Sequence, residues 1–182
     1  MKQSVVYTVM VVFVTSLIAA TATARQSAEV KVLNRWIGDW KSEVVIKPSR
    51  WIPEERQWIE ENEVQWVYDR HMHMLLIKNH NEDQENLALQ RYNHQRNKYE
   101  MWTYGPDVSS YYLGGWDEKS TTMTWEYVDF GAGIRGRIVD HFIGEGKWKQ
   151  SVILKDKKGD VLLDIRVERT RTGQQPKKGD AG

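Results

Sequence analysis

Cysteine is absent from this 182-residue chain, which excludes disulfide staples, a cysteine nucleophile and a lipid-modified cysteine behind a leader. Stability must come from the packed core alone. An excess of charge of either sign is missing as well. The 26 basic and 25 acidic side chains leave a net charge of +1, which advertises neither a nucleic-acid partner nor attraction to an anionic membrane surface. Beyond Ala20 the chain lacks any apolar run long enough to span a membrane as a helix, and it lacks helical periodicity apart from one short segment.

What is present begins with a leader. Residues 1–24 carry one early charge at Lys2, an apolar run from Val5 to Ala20 and small residues ending in Ala22-Thr23-Ala24. This is the layout of a secretory signal peptide cut between Ala24 and Arg25. The run is shorter than the ~20 apolar residues of a typical bilayer span and contains Tyr7, Thr8, Thr15 and Ser16, so a cleaved leader is predicted over an uncleaved anchor. The expectation is an exported, periplasmic or secreted protein with no stable membrane insertion after cleavage. The remainder, of zero net charge once Lys2 is gone, suits one domain over residues 25–172, followed by a polar, disordered tail at 173–182.

Ala28 to Arg35 has the spacing of one or two helical turns, with Val30 and Leu33 on one side. From there on the patterning is that of strands: 40–47, 57–67, 71–78, 86–92, 99–104, 109–116, 121–127, 133–142, 147–154 and 161–171. Turn chemistry separates them, for example Gly105-Pro106-Asp107, Gly144-Glu145-Gly146 and Lys158-Gly159-Asp160. About ten short strands at regular spacing predict an all-β antiparallel meander. Closing it into an up-and-down barrel removes its edges, and a sandwich is the competing arrangement.

The stretch "RWIGDW" at Arg35–Trp40 places two tryptophans around a glycine at the entry to the first strand. Alternation puts Trp40, Ser42, Val44 and Ile46 on one face, so Trp40 points inward, and Gly38 permits a tight approach from the helix. On the last strand Leu163, Ile165, Val167, Arg169 and Arg171 share a face. First and last strands are neighbours in a closed barrel, so an arginine over the Trp40 indole would plug the barrel floor. Gly38-x-Trp40 after a short helix, with Arg171 closing the last strand, resembles the lipocalin signature of the calycin superfamily. "VLNRWIGDW", "LALQRYNHQRNKYEMW" and "VERTR" are similar to a bacterial family of lipocalin-like barrels with no settled activity. The resemblance runs over about residues 30 to 171 and implies a fold, with Gly38, Trp40 and Arg171 in structural roles. Haem barrels of the same superfamily open with G-x-W-x-G-x-G, whereas this chain has Ser42 and Val44 where those glycines stand.

Several patterns mimic chemistry. "GAGIRG" at 131–136 fits G-x-G-x-x-G, but the following residues alternate as a strand and supply no helix N-terminus for a pyrophosphate. His71 and His73 share a strand face, and with His141 they are the candidate metal ligands; His141 alone is the candidate haem ligand. Adjacent carboxylates such as Glu54-Glu55 and Glu60-Glu61 face opposite ways on a strand and read as a solvated face. No catalytic set emerges, and no cofactor is expected.

The aromatic residues are the remaining clue. A barrel of this size has an interior that side chains fill or that holds one small ligand. Trp66, Trp102, Tyr111 and Trp125 are the candidate lining residues, and Arg135, Arg137 and His141 share one face of a strand that could border them. If that face turns inward, the set suits an apolar ligand with an acidic head. The expected function is therefore an exported barrel binding a small apolar or amphipathic molecule without catalysis. The alternatives are a metal- or haem-dependent enzyme and a fully packed structural or interaction barrel.

Overall fold

A computed structural model describes residues 27–67, 75–80, 85–106 and 108–173. The predicted leader, His71 and His73, and all of the predicted tail except Gly173 lie outside those residues. The chain opens with helix α1 (Ala28–Leu33), whose N-cap Ser27 accepts a hydrogen bond from the Val30 amide at 3.3 Å. Ten strands follow: β1 (Gly38–Lys47), β2 (Arg56–Trp66), β3 (Leu75–His80), β4 (Glu85–Asn93), β5 (Lys98–Tyr104), β6 (Ser109–Asp117), β7 (Thr122–Tyr127), β8 (Arg135–Phe142), β9 (Lys147–Lys155) and β10 (Val161–Arg171).

Each strand pairs antiparallel with its sequence neighbours, and β1 pairs with β10, so the sheet closes into a barrel with no free edge. The closure register sets Trp40 opposite Arg171, Ser42 opposite Arg169 and Val44 opposite Val167. No dinucleotide loop forms at 131–136: Gly131 and Gly133 adopt positive φ in a turn that leads directly into β8.

α1 caps one end of the barrel. Its buried Val30 and Leu33 pack on that end, and the turn after it delivers Trp36 into the interior. Trp36 meets Phe142 edge-on at 4.6 Å, Phe142 stacks on Trp148 at 5.5 Å, and Trp148 meets Trp40 edge-on at 6.1 Å. The opening motif has a specific geometry. The Arg171 guanidinium lies 4.1 Å from the centre of the Trp40 ring, and it donates to the carbonyls of Ile37, Glu145 (3.1 Å) and Arg35 (3.4 Å). Trp40 in turn donates from Nε1 to the Trp36 carbonyl at 2.7 Å. Gly38, at φ +126°, leaves no alternative: a Cβ there would collide with Nη1 of Arg171. Two tryptophans and a glycine thus build one corner, where the helix, first strand and last strand meet.

Candidate functional site: an open barrel end above a buried polar layer

The pleat decides which side chains enter the barrel. On β8 it sends Gly136, Ile138, Asp140 and Phe142 inward and leaves Arg135, Arg137 and His141 exposed on the outer face. The inward turn considered for those arginines and His141 does not occur, because the face that carries Ile138 and Phe142 buries far more apolar surface than the one that carries two arginines. Arg137 pairs with Glu126 at 2.8 Å on the outside. His141 Nδ1 sits 3.2 Å from the Thr122 hydroxyl.

Trp102 and Tyr111 are also on the outer wall, since their strands turn Tyr99, Met101, Tyr112 and Gly114 inward. Gly114 is required there: a Cβ would lie 2.5 Å from Cε3 of Trp125. Trp102 and Tyr111 stack on each other at 5.1 Å, and Arg91 covers the Trp102 ring at 5.1 Å. Beneath them Glu100 accepts from Arg91 Nε (2.7 Å), the Tyr111 hydroxyl (2.9 Å) and Asn93 (3.0 Å). Burial pushes its carboxyl up, and those hydrogen bonds outweigh burial and hold it below the usual range.

Of the candidate lining residues, Trp66 and Trp125 face the interior. Trp66, half-buried, donates to Asn34 Oδ1 at 3.0 Å beside α1. Trp125 is fully buried and donates from Nε1 to Asp140 Oδ2 at 3.0 Å.

Asp140 belongs to a layer of buried polar residues across the middle of the barrel that sequence reasoning missed. Gln150 donates from Nε2 to Asp140 Oδ1 (2.8 Å) and accepts from Arg169 Nη1 (3.2 Å). Arg169 also donates from Nε to Asn62 Oδ1 (3.3 Å), lies 4.3 Å from the Trp148 ring centre, and has Nη2 3.9 Å from Glu60 Oε1. Glu60 accepts from Trp58 Nε1 and Asn62 Nδ2, each at 3.2 Å, and Ser42 hydrogen-bonds to Asn62. The reading of Glu60 as part of a solvated face is corrected: it is 8% exposed and inward, while its neighbour Glu61 faces out. Its inward company, Trp58, Val64 and Trp66 at two-residue spacing, was the available signal.

Burial shapes the electrostatics of this layer. It raises the Asp140 carboxyl to about 6, against the hydrogen bonds from Trp125 and Gln150 and the charge of Arg169. It pulls the Arg169 guanidinium down, opposed by Glu60 and Asp140.

Beyond that layer the barrel changes character. The inward side chains at the end opposite α1, among them Ile46, Trp58, Tyr127, Val152, Leu154 and Ile165, are half-buried rather than buried. A groove of ≈ 600 Å³ lies at the rim of this end, between inward Tyr127 and Gly136, outward Glu126 and Arg135, and Asp129 and Lys157 of the adjoining loops. Arg135 therefore stands at the mouth, not in the interior. Among the described residues, no three His, Asp or Glu side chains converge as a metal site would require.

Strand number, closure and the capped floor define a lipocalin-like barrel of the calycin type. No protein-family model matches the chain, and no curated protein matches it in sequence. Solved structures do match it in fold. The S-type phycobiliprotein lyase CPES from Guillardia theta superposes with a TM-score of 0.53 at 11% identity, covering 82% of this chain and 95% of the lyase. Rv2717c from M. tuberculosis superposes with a TM-score of 0.58 at 10% identity, covering 81% and 99% of the two chains. At such identities the likeness is one of fold.

Proposed function

We propose that this protein is a binding barrel: it holds one small apolar or amphipathic molecule in the open half of its interior and performs no catalysis on it. The observation that carries the reading is the half-buried state of apolar, inward-facing Ile46, Val152, Leu154 and Ile165. Apolar surface left in contact with water inside a barrel is surface that a ligand can cover, at about 25 cal/mol per Å² buried. A rigid barrel wall lowers the cost of binding because little has to be ordered. The solved neighbours fit the reading in fold, and one of them is named a phycobiliprotein lyase. The resemblance of "VLNRWIGDW" and "VERTR" to bacterial lipocalin-like barrels belongs to the same reading, as does export after removal of residues 1–24, which would let the barrel meet its ligand outside the cytoplasm.

The test is native mass spectrometry of the protein purified from its own host. A bound molecule of a few hundred daltons, released on denaturation, is expected, on a chain that begins near Arg25. A chain that retains Met1 overturns the export reading. Apoprotein that also fails to quench its tryptophan fluorescence with any apolar probe overturns the binding reading.

A further inference from the structure

We propose that the polar end of the ligand is a cation, an alkylammonium-type head seated against Glu60, and that fatty-acid-like anions are excluded. The inference rests on the binding reading above and follows from the charges inside the barrel. Among the described residues, three charged side chains are buried in the interior above the Trp40–Arg171 floor, Glu60, Asp140 and Arg169, while Arg56, opposite Ile46 on the same inward face, stands exposed at the open rim. Two carboxylates face one guanidinium. A third carboxylate, brought in by an acidic ligand, would be buried with one cation among three anions, an arrangement that desolvation makes costly.

Arg169 is also poorly placed to receive an anion. Its Nε and Nη1 donate to the side-chain carbonyls of Asn62 and Gln150, one face lies on Trp148, and its Nη2 is turned towards the Glu60 carboxylate, so an anion there would sit beside that carboxylate. Towards Glu60 it comes no closer than 3.9 Å, beyond hydrogen-bond range. The Glu60 carboxylate therefore keeps acceptor capacity. Its two protein donors, Trp58 Nε1 and Asn62 Nδ2, are both neutral and each 3.2 Å away. Trp58 is itself half-buried at the open end, next to the apolar wall of Val44 and Ile46. A protonated amine at Glu60 would thus gain a charge-assisted hydrogen bond and an indole beside it, with its chain running out along Ile46, Val152 and Ile165.

The experiment is a calorimetric titration of the unaltered protein at pH 8 with decylammonium, decanol and decanoate, which share one chain and differ in charge. Decylammonium is expected to bind about tenfold tighter than decanoate, with decanol between them. Decanoate or decanol binding at least as tightly as decylammonium overturns the inference and leaves the binding reading standing. Failure of all three to bind overturns both. In Glu60→Gln, decylammonium should lose about tenfold while decanol stays within about twofold. A preference for decylammonium that survives in folded Glu60→Gln removes Glu60 from the role. If the variant does not fold, the three-probe comparison on the unaltered chain decides alone.

Discussion

Trp36, Trp40, Met123 and Trp125 at the helix-capped end are at most 1% exposed, whereas Ile46, Tyr127, Val152 and Ile165, at the other end of the same strands, keep part of their surface in water. One end is closed by interlocking aromatic rings and a helix; at the other the inward side chains stay half-buried. The contrast separates two tasks. A cysteine-free barrel must take its stability from burial, and the capped end supplies it. The open end is then released from that duty. The polar layer of Glu60, Asn62, Gln150, Asp140 and Arg169 lies between them as a boundary.

The strongest test of this division compares one large inward residue from each end. Trp40→Ala should destabilise by roughly 3–5 kcal/mol, because it removes a fully buried indole and leaves a cavity beneath Arg171. Arg171→Ala should be partly non-additive with it, since the two share one contact. Ile46→Ala at the open end should cost less than about 2 kcal/mol, its surface being already partly hydrated. Urea unfolding of the unaltered protein, the three single variants and the Trp40→Ala/Arg171→Ala double variant measures all of this. Equal costs at Trp40 and Ile46 would erase the distinction between the ends, and full additivity would show that Trp40 and Arg171 do not act together.

The boundary layer makes the next prediction. The buried Asp140 carboxyl has its pKa raised to about 6, from an ordinary aspartate value of 3.8. Between those two pH values the native protein holds a proton that the unfolded chain has released. Stability contributed by this group is therefore greatest below pH 3.8, falls as pH rises towards 6, and is lowest above it, a swing of about 3 kcal/mol. Asp140→Asn removes that titration. The stability of the unaltered protein minus that of Asp140→Asn should then rise by up to about 3 kcal/mol between pH 7 and pH 4. A difference that stays constant with pH would mean that Asp140 titrates as in water and that the layer is wetter than its burial implies.

Most of the scaffold was legible from the sequence. Nine strands and the helix lie within two residues of the expected boundaries at both ends, and β3 ends two residues beyond its expected close. Period-two alternation and turn residues are local signals, and antiparallel meanders obey them. The Gly38-x-Trp40 corner was legible for the same reason: the closure register depends on a few residues that admit one arrangement. The inward face of the open half was not. Which face of β8 enters the barrel depends on the summed burial of the whole strand, and the arginines at 135 and 137 drew attention away from Ile138 and Phe142. Trp102 and Tyr111 carried the same trap, being aromatic yet shielded outside by Arg91 and Glu100. Glu60 read as solvent-facing because acids usually are, and Asp140 drew no reading at all; only the fold reveals the partners that make their burial tolerable.

The smallest expected effect tests the outer wall. Arg137 and Glu126 are 2.8 Å apart with side chains 63% and 53% exposed, so water and salt screen their attraction and ordering two long side chains offsets much of the gain. Arg137→Ala should change stability by no more than about 0.5 kcal/mol. It should also leave the decylammonium, decanol and decanoate affinities unchanged, because the side chain is separated from the interior by the sheet itself. The same urea and calorimetric measurements check it. A selective loss of decanoate binding in this variant would return the acidic-head reading to the β8 arginines and would place the ligand at the rim, where Arg135 and Lys157 border the mouth, instead of above the polar layer.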